Sequence, residues 1–360
     1  MSKLSFSSID QTAVMCYNRI VPIICVFVEK GASMDKEMYI KFSDAQIGST
    51  INRPVLVSAI TENTARNGNI FVKVSLKDGF SEVTAMMFDT SAESLASLGI
   101  RQNTIADAEL SVSEYQGSKS FKIVQIRQTA DSTLTVNDFT KLPPVDLDLM
   151  YNEICSLIES SANDYDGNYT PLSDLALKIL TKYKDSYMTS SAAISMHHNL
   201  RGGLLYHSYR MVKAADALCG VYTNLDRELL LCGTALHDIG KVWEYKTSIS
   251  GDAEFTASGV LFGHLYMGAS LIKGFTADGN YNKEKVQLLI HMILSHHGTQ
   301  EWGAVSCPAI PEAFALHYID NLDAKMYMCE EHYEELEPGE ITEKKPFGLD
   351  NRIYKPNYDK

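Results

Sequence analysis

The alternation of polar and apolar positions changes rhythm once the chain is well under way. From Arg53 onward it is strand-like: Val55-Leu56-Val57, Phe71 to Leu76, Val83 to Phe88, Ile105 to Val112 and Phe121 to Ile126 each read as a strand. Asn67-Gly68, Asp78-Gly79 and Gln116-Gly117 supply the positive-φ residues that tight connections need. Five short strands in so little chain suit a small closed barrel, with an OB-fold the commonest choice and an SH3-like barrel the runner-up. In Phe71-Val72-Lys73-Val74-Ser75-Leu76 the alternation turns Val72, Val74 and Leu76 inward and Phe71, Lys73 and Ser75 outward. An outward aromatic beside a lysine can stack a base and meet its phosphate; equally, Phe71 can pack against a second domain.

After Thr140-Lys141-Leu142-Pro143-Pro144, which reads as a linker, the period becomes helical. Met150, Ile154 and Ile158, then Leu172, Leu175, Leu177, Ile179 and Leu180, mark two amphipathic helices. From Ser190 to about Glu330 the pattern is helix with polar interruptions. The expected protein is therefore multidomain, β plus α. It has an N-terminal extension (1–50), a five-stranded OB-like barrel (51–140), a linker with connecting helices (141–189), an all-α domain (190–330) and a loosely packed tail (331–360).

Composition narrows this picture. A chain of 360 residues, 45% hydrophobic, is about two soluble globular domains. The longest early apolar run, Ile20 to Val28, contains Pro22 and falls short of the roughly 20 residues of a membrane helix, and the N-terminus has no secretory pattern. No membrane segment is expected. Seven scattered cysteines without a CxxC pair predict reduced thiols in a cytoplasm rather than a disulfide framework or a Cys-type zinc site. A net charge of -13 disfavours sequence-blind binding of duplex nucleic acid, and residues 53–128 carry as many acids as bases. Any polyanion must be held locally, by metal ions or a small basic patch.

Nine of the ten histidines fall between 197 and 317. The apolar run from Leu229 delivers His237 and Asp238 together and then reaches Gly240, as a buried helix ends. An imidazole beside a carboxylate suits a divalent ion such as Zn, Mn or Fe, and Lys241 offers a point charge for phosphate. His207 follows an apolar turn, His264 follows Gly263 and opens a helix, and His296-His297 close a buried-looking one. Asp320 borders a stripe of Leu316, Ile319, Leu322 and Met326. Carboxylates flush with an apolar stripe are costly unless paired, and a divalent ion is such a partner.

The order H, HD, H, HH, D, realised as His207, His237-Asp238, His264, His296-His297 and Asp320, resembles the HD superfamily of metal-dependent phosphohydrolases. The words His197-His198-Asn199-Leu200-Arg201-Gly202-Gly203, His291-Met292-Ile293-Leu294-Ser295-His296-His297-Gly298 and Tyr318-Ile319-Asp320-Asn321-Leu322-Asp323-Ala324-Lys325 narrow the likeness. They are similar to the YhaM-type 3′-to-5′ exoribonucleases, which join an OB-fold to an HD domain, over roughly residues 50 to 357. That resemblance implies removal of nucleotides from the 3′ end of single-stranded RNA or DNA by a cytoplasmic enzyme. It also implies a homo-oligomer enclosing its sites, and one or two divalent ions, Mn first, with Fe, Co, Ni, Zn or Mg as alternatives.

In such a site His207, His237, Asp238 and Asp320 would hold one ion, and Asp238 would bridge to a second held by His264, His296 and His297. Lys241, with His198 and Arg201, would contact phosphate, and Asp323, one turn beyond Asp320, would support a ligand from behind or else form a salt bridge in the neighbourhood of Lys325, the first being preferred. Two other readings stand beside this one: a hydrolase of small cyclic or triphosphate nucleotides with a regulatory barrel, and an idle binding module, against which the complete ligand set argues.

Overall fold

The computed structural model describes residues 39–65, 68–162, 167–193, 200–249, 251–277 and 279–358. The strands are β1 (Thr50–Thr64), β2 (Ile70–Lys77), β3 (Glu82–Phe88), β4 (Ile105–Tyr115) and β5 (Ser118–Gln128), with helix α1 (Ala92–Ser97) between β3 and β4. They close in the order β1-β2-β3-β5-β4. Every pairing is antiparallel except β3 with β5, which join in parallel at Ala85 and Phe121. This is the Greek-key layout of an OB-fold and decides between the two small barrels. The long β1 makes closure work, because its first half pairs with β4 and its second half with β2, with a register shift between Val57 and Ala59. Val55, Val57, Val72, Val74, Leu76 and Leu110 fill the interior, as the alternation requires.

One ionic element sits in this apolar setting. Arg53 lies 3.1 Å from Asp78, both side chains fully buried. Arg53 also donates to the Ile40 and Asp78 carbonyls, while the Asp78 carboxylate accepts the backbone N–H groups of Phe42, Phe80 and Ser81. The Asp78-Gly79 turn is thereby tied to the chain ahead of β1. Phe42 and Ala45 are buried in the barrel core, so the stretch from residue 39 is part of the barrel's packing.

The helices are α2 (Leu147–Ser160), α3 (Leu172–Lys182), α4 (Lys184–Thr189), α5 (Gly203–Val221), α6 (Arg227–Leu236), α7 (Lys241–Glu244), α8 (Ala257–Phe275), α9 (Lys283–Ser295) and α10 (Pro311–Glu335). Met150, Ile154, Ile158, Leu172, Leu175 and Ile179 share one core with Leu204, Leu230, Leu236, Ile293 and Leu316. The helices expected to act as connectors are a layer of that core. The region is not helical throughout: a hairpin of β6 (Tyr245–Thr247) and β7 (Ala253–Phe255) separates α7 from α8, its strands too short to register as alternation. Lys77, at the end of β2, meets both carboxylate oxygens of Asp252 in this hairpin at 2.7 Å and so links barrel to helices. Beyond α10 the chain folds back: Lys355 donates to the Tyr333 carbonyl, Ile341 bridges to Tyr354, and Thr342 and Ile353 are buried. The tail is thus better packed than its composition suggests. Among the described residues no helix is long and apolar enough to cross a membrane.

Candidate metal centre

Helix α6 is buried along nearly its whole length, from Glu228 to Leu236. The Asp226 side chain caps its first turn by accepting the Leu229 N–H, and His237 caps its end. Gly240 does not act as a left-handed helix stop. Its φ is -61°, and it leads straight into α7. Its lack of a side chain serves close packing instead, because a Cβ there would lie 2.1 Å from the His264 carbonyl oxygen. His264 opens the second of the two helical segments of α8, as expected, because Gly263, at φ 68°, breaks the helix just before it.

The two carboxylate oxygens of Asp238 face different partners. Oδ2 lies 3.2 Å from His237 Nε2, 4.0 Å from His207 Nε2 and 2.6 Å from Lys241 Nζ. Oδ1 lies 3.4 Å from His264 Nε2 and 3.6 Å from His296 Nε2. Asp320 Oδ1 is 3.2 Å from His207 Nε2, and the pairs His207–His237 and His264–His297 bring their Nε2 atoms to 3.3 Å. Three overlapping triads result, each with its donor atoms within 4.8 Å of one another: His207, His237 and Asp320; His237, Asp238 and His296; His264, His296 and His297.

The far nitrogens explain why the near ones converge. Nδ1–H of His207 donates to Asp323 at 2.7 Å, of His237 to the Thr234 carbonyl at 2.7 Å, of His264 to Glu244 at 2.9 Å, and of His296 to the Ile293 carbonyl at 2.8 Å. These bonds fix the tautomers and aim the Nε2 atoms inward. Buried Asp238 Oδ1 accepts no hydrogen bond among the described residues. An orphaned carboxylate oxygen facing imidazole nitrogens is satisfied by a cation, and this donor set fits Mn, Fe or Zn.

Charge agrees. Burial pushes the Asp238 carboxyl up, but Lys241 and His237 outweigh it and hold it well below the usual range. Asp320 is lowered in the same way, burial being overcome by its bond to His207. Burial pulls His207 down, yet its bonds to Asp320 and Asp323 raise it to about 9. Burial, with His296 and His264 nearby, lowers His297 to about 4.

All seven residues expected as ligands come together, and Lys241 joins them. Asp323 backs His207 and also pairs with Arg210 at 2.6 Å, not with the neighbourhood of Lys325. Arg201 donates from Nη1 to the Ile249 carbonyl at the hairpin, and His198 lies outside the described residues. The inward face of α10 is rotated from the expected stripe: Leu322 and Met326 are 55% and 44% exposed, whereas Asp323 and Tyr327 are buried. Carboxylates can occupy that face because His207 and Arg210 compensate them. On the barrel, Phe71 packs beside Phe88 with ring centroids 5.9 Å apart, Lys73 is exposed, and Lys122 lies 5.5 Å from the Phe88 ring.

Glu244, Arg210, Phe88 and Lys122 were not legible in the sequence. Glu244 meets His264 through the hairpin, and Lys122 reaches Phe88 only through the parallel closure of the barrel.

Residues 204–325 match the HD domain family model. The chain is 32% identical over 318 residues to the 3′-5′ exoribonuclease YhaM of Listeria monocytogenes, covering 88% of this chain and 98% of that one. Among solved structures it resembles the second OB-fold domain of replication protein A from Methanococcus maripaludis (16% identity, 26% of this chain and 96% of that one, TM-score 0.21). It also resembles the mitochondrial single-stranded DNA binding protein Rim1 of S. cerevisiae (16% identity, 22% and 94%, TM-score 0.19).

Proposed function

Because this chain belongs to the YhaM family of 3′-5′ exoribonucleases, we propose that its histidine and aspartate centre, loaded with divalent metal, removes 5′ mononucleotides from the 3′ end of single-stranded RNA. The observation that carries this reading is Asp238, whose two oxygens face two separate imidazole sets. His207, His237 and Asp320 would hold one ion with Oδ2, and His264, His296 and His297 the other with Oδ1. Divalent ions so placed supply an activated water and offset charge developing on the phosphodiester. Mn is the metal we put first.

The protein's own groups do the rest. Asp323 and Glu244 orient their imidazoles, and Lys241, still partly exposed beside Asp238, is poised for a phosphate oxygen. The rings of Phe71 and Phe88, flanked by Lys73 and Lys122, give the strand a stacking platform that needs no net positive charge. Free thiols at Cys155, Cys219, Cys232, Cys307 and Cys329 support a cytoplasmic location.

The test is incubation with Mn and a panel of single-stranded RNA, single-stranded DNA, cyclic dinucleotides and nucleoside triphosphates, with products resolved by mass. Stepwise loss of 5′ monophosphates from the 3′ end of RNA is the expected result. Turnover of the small nucleotides alone would refute it and restore the small-nucleotide reading.

A further inference from the structure

The turn after α9 and the early part of α10 carry a second group of rings against the metal centre. Trp302 and Tyr318 are 60% and 66% exposed, and His317 lies between them, its ring centroid 6.0 Å from Trp302 and 5.1 Å from Tyr318. Single exposed aromatics are ordinary; a contiguous row of them marks a surface that meets something.

This row is firmly mounted. His317 Nδ1–H donates to the His296 carbonyl at 2.8 Å. Its ring lies so close over Gly298, at φ 82°, that a Cβ there would fall 2.3 Å from it. Trp302 and Ala304 both donate backbone N–H to the Thr299 carbonyl at 3.1 Å, and Val305 to that of Leu294 at 3.0 Å. On the inner side of the same turn, Gly303 approaches His297 Nδ1. Asp320 follows His317 by one helical turn. The backbones that carry the rings therefore also carry His296, His297 and Asp320, and their distance from the reacting phosphate is set by the fold.

We propose that Trp302, His317 and Tyr318 form a stacking subsite for the base of the 3′-terminal nucleotide. The exposed rings of Trp302 and Tyr318 offer uncharged π-faces, which select a base rather than a phosphate. Stacking accepts every base, which suits an enzyme that must take each nucleotide in turn. These are positioning residues, and the inference rests on the nuclease reading above.

Two measurements on the full chain test it. In the first, a 5′ nucleoside monophosphate quenches tryptophan fluorescence while ribose 5-phosphate does not, and the quenching disappears in Trp302→Phe, where Trp243 is the remaining emitter. Equal effects of the two ligands, no quenching, or quenching that survives in Trp302→Phe would overturn the subsite. In the second, the Mn-loaded protein releases the first nucleotide from oligoribonucleotides ending in a normal or an abasic residue. The expected preference for the normal end is about fivefold to a hundredfold, the equivalent of one stacked base. It falls to near one in Trp302→Ala and Tyr318→Ala and largely persists in Trp302→Phe. An unchanged ratio in Trp302→Ala would overturn the proposal. If neither oligonucleotide is cut, the nuclease reading fails, and the fluorescence arm alone decides whether the rings bind a base.

Discussion

Glutamine in place of Glu244 keeps the size of a buried side chain while removing the charge that holds His264. Glu244 receives two hydrogen bonds from that residue, one from Nδ1 at 2.9 Å and one from the backbone N–H at 3.0 Å. Burial would raise its carboxyl, but the bond from His264 outweighs burial and keeps it below its ordinary value, so the ionised form is the one in place. An amide has a single acceptor oxygen. Glu244→Gln can therefore preserve one of the two bonds and must turn an NH₂ toward the other donor.

Losing one charge-assisted bond at a buried position costs about 1.5–3 kcal/mol. Losing the carboxylate behind a ligating histidine weakens metal binding by roughly 10–100-fold, a matching 1.4–2.7 kcal/mol. The effect should fall on the half of the centre shared by His264, His296 and His297. Calorimetric titration with Mn should show one site weakened by that factor and the other retained, and the Mn concentration for half-maximal RNA degradation should rise in parallel. Asp323→Asn should do the reverse, weakening the half that contains His207. Equal weakening of both sites, or no change in either with the melting temperature preserved, would refute this account of how the two halves are supported.

Arg53→Met should destabilise the protein by about 3–5 kcal/mol, because it leaves the Asp78 carboxylate buried without its cation; a urea midpoint within error of wild type would contradict this. Metal uptake near pH 7 should release about one proton per chain, since His207, raised to about 9, must lose its proton to become a ligand. Apparent affinity should then rise with pH and level off above about 9; titration heats that do not depend on the buffer's ionisation enthalpy would rule this out. Phe71→Ala and Phe88→Ala should each weaken single-strand binding about fivefold to a hundredfold, with little change in turnover of a chromogenic phosphodiester, as filter binding alongside a plate assay would show.

The barrel's strands were legible because half-buried strands force alternation, and Val72, Val74 and Leu76 turn inward as that alternation requires. A closed barrel was expected from their number, but which strands meet to close it was not, because nothing local to β3 or β5 announces that they pair in parallel. The seven donors were legible through the unusual clustering of histidine and aspartate, whereas their supports depend on tertiary approach. Glu244 finds His264 across a hairpin of three-residue strands, and Arg210 finds Asp323 across two helices. Gly240 shows how a residue can be singled out for the wrong reason. It looks like a helix stop, but its backbone is helical, and what it permits is the passage of α8. The stripe of α10 held for Leu316 and Ile319, which are buried, and failed at Leu322 and Met326, because one turn on the paired carboxylate of Asp323 and then Tyr327 take the inner positions.

That helix also sets an order of events during synthesis. Asp320 and Asp323 lie on α10, the last of the described helices, while His207, to which both bond, is made more than a hundred residues earlier. A nascent or interrupted chain that stops before Pro311 carries His237, Asp238, His264, His296 and His297 but lacks the two carboxylates that pair with His207 from α10. Such a fragment possesses most of the donors and lacks the arrangement that makes them a cutting site. The centre is consequently incomplete until α10 has been made and packed against α5, however early its histidines were joined to the chain.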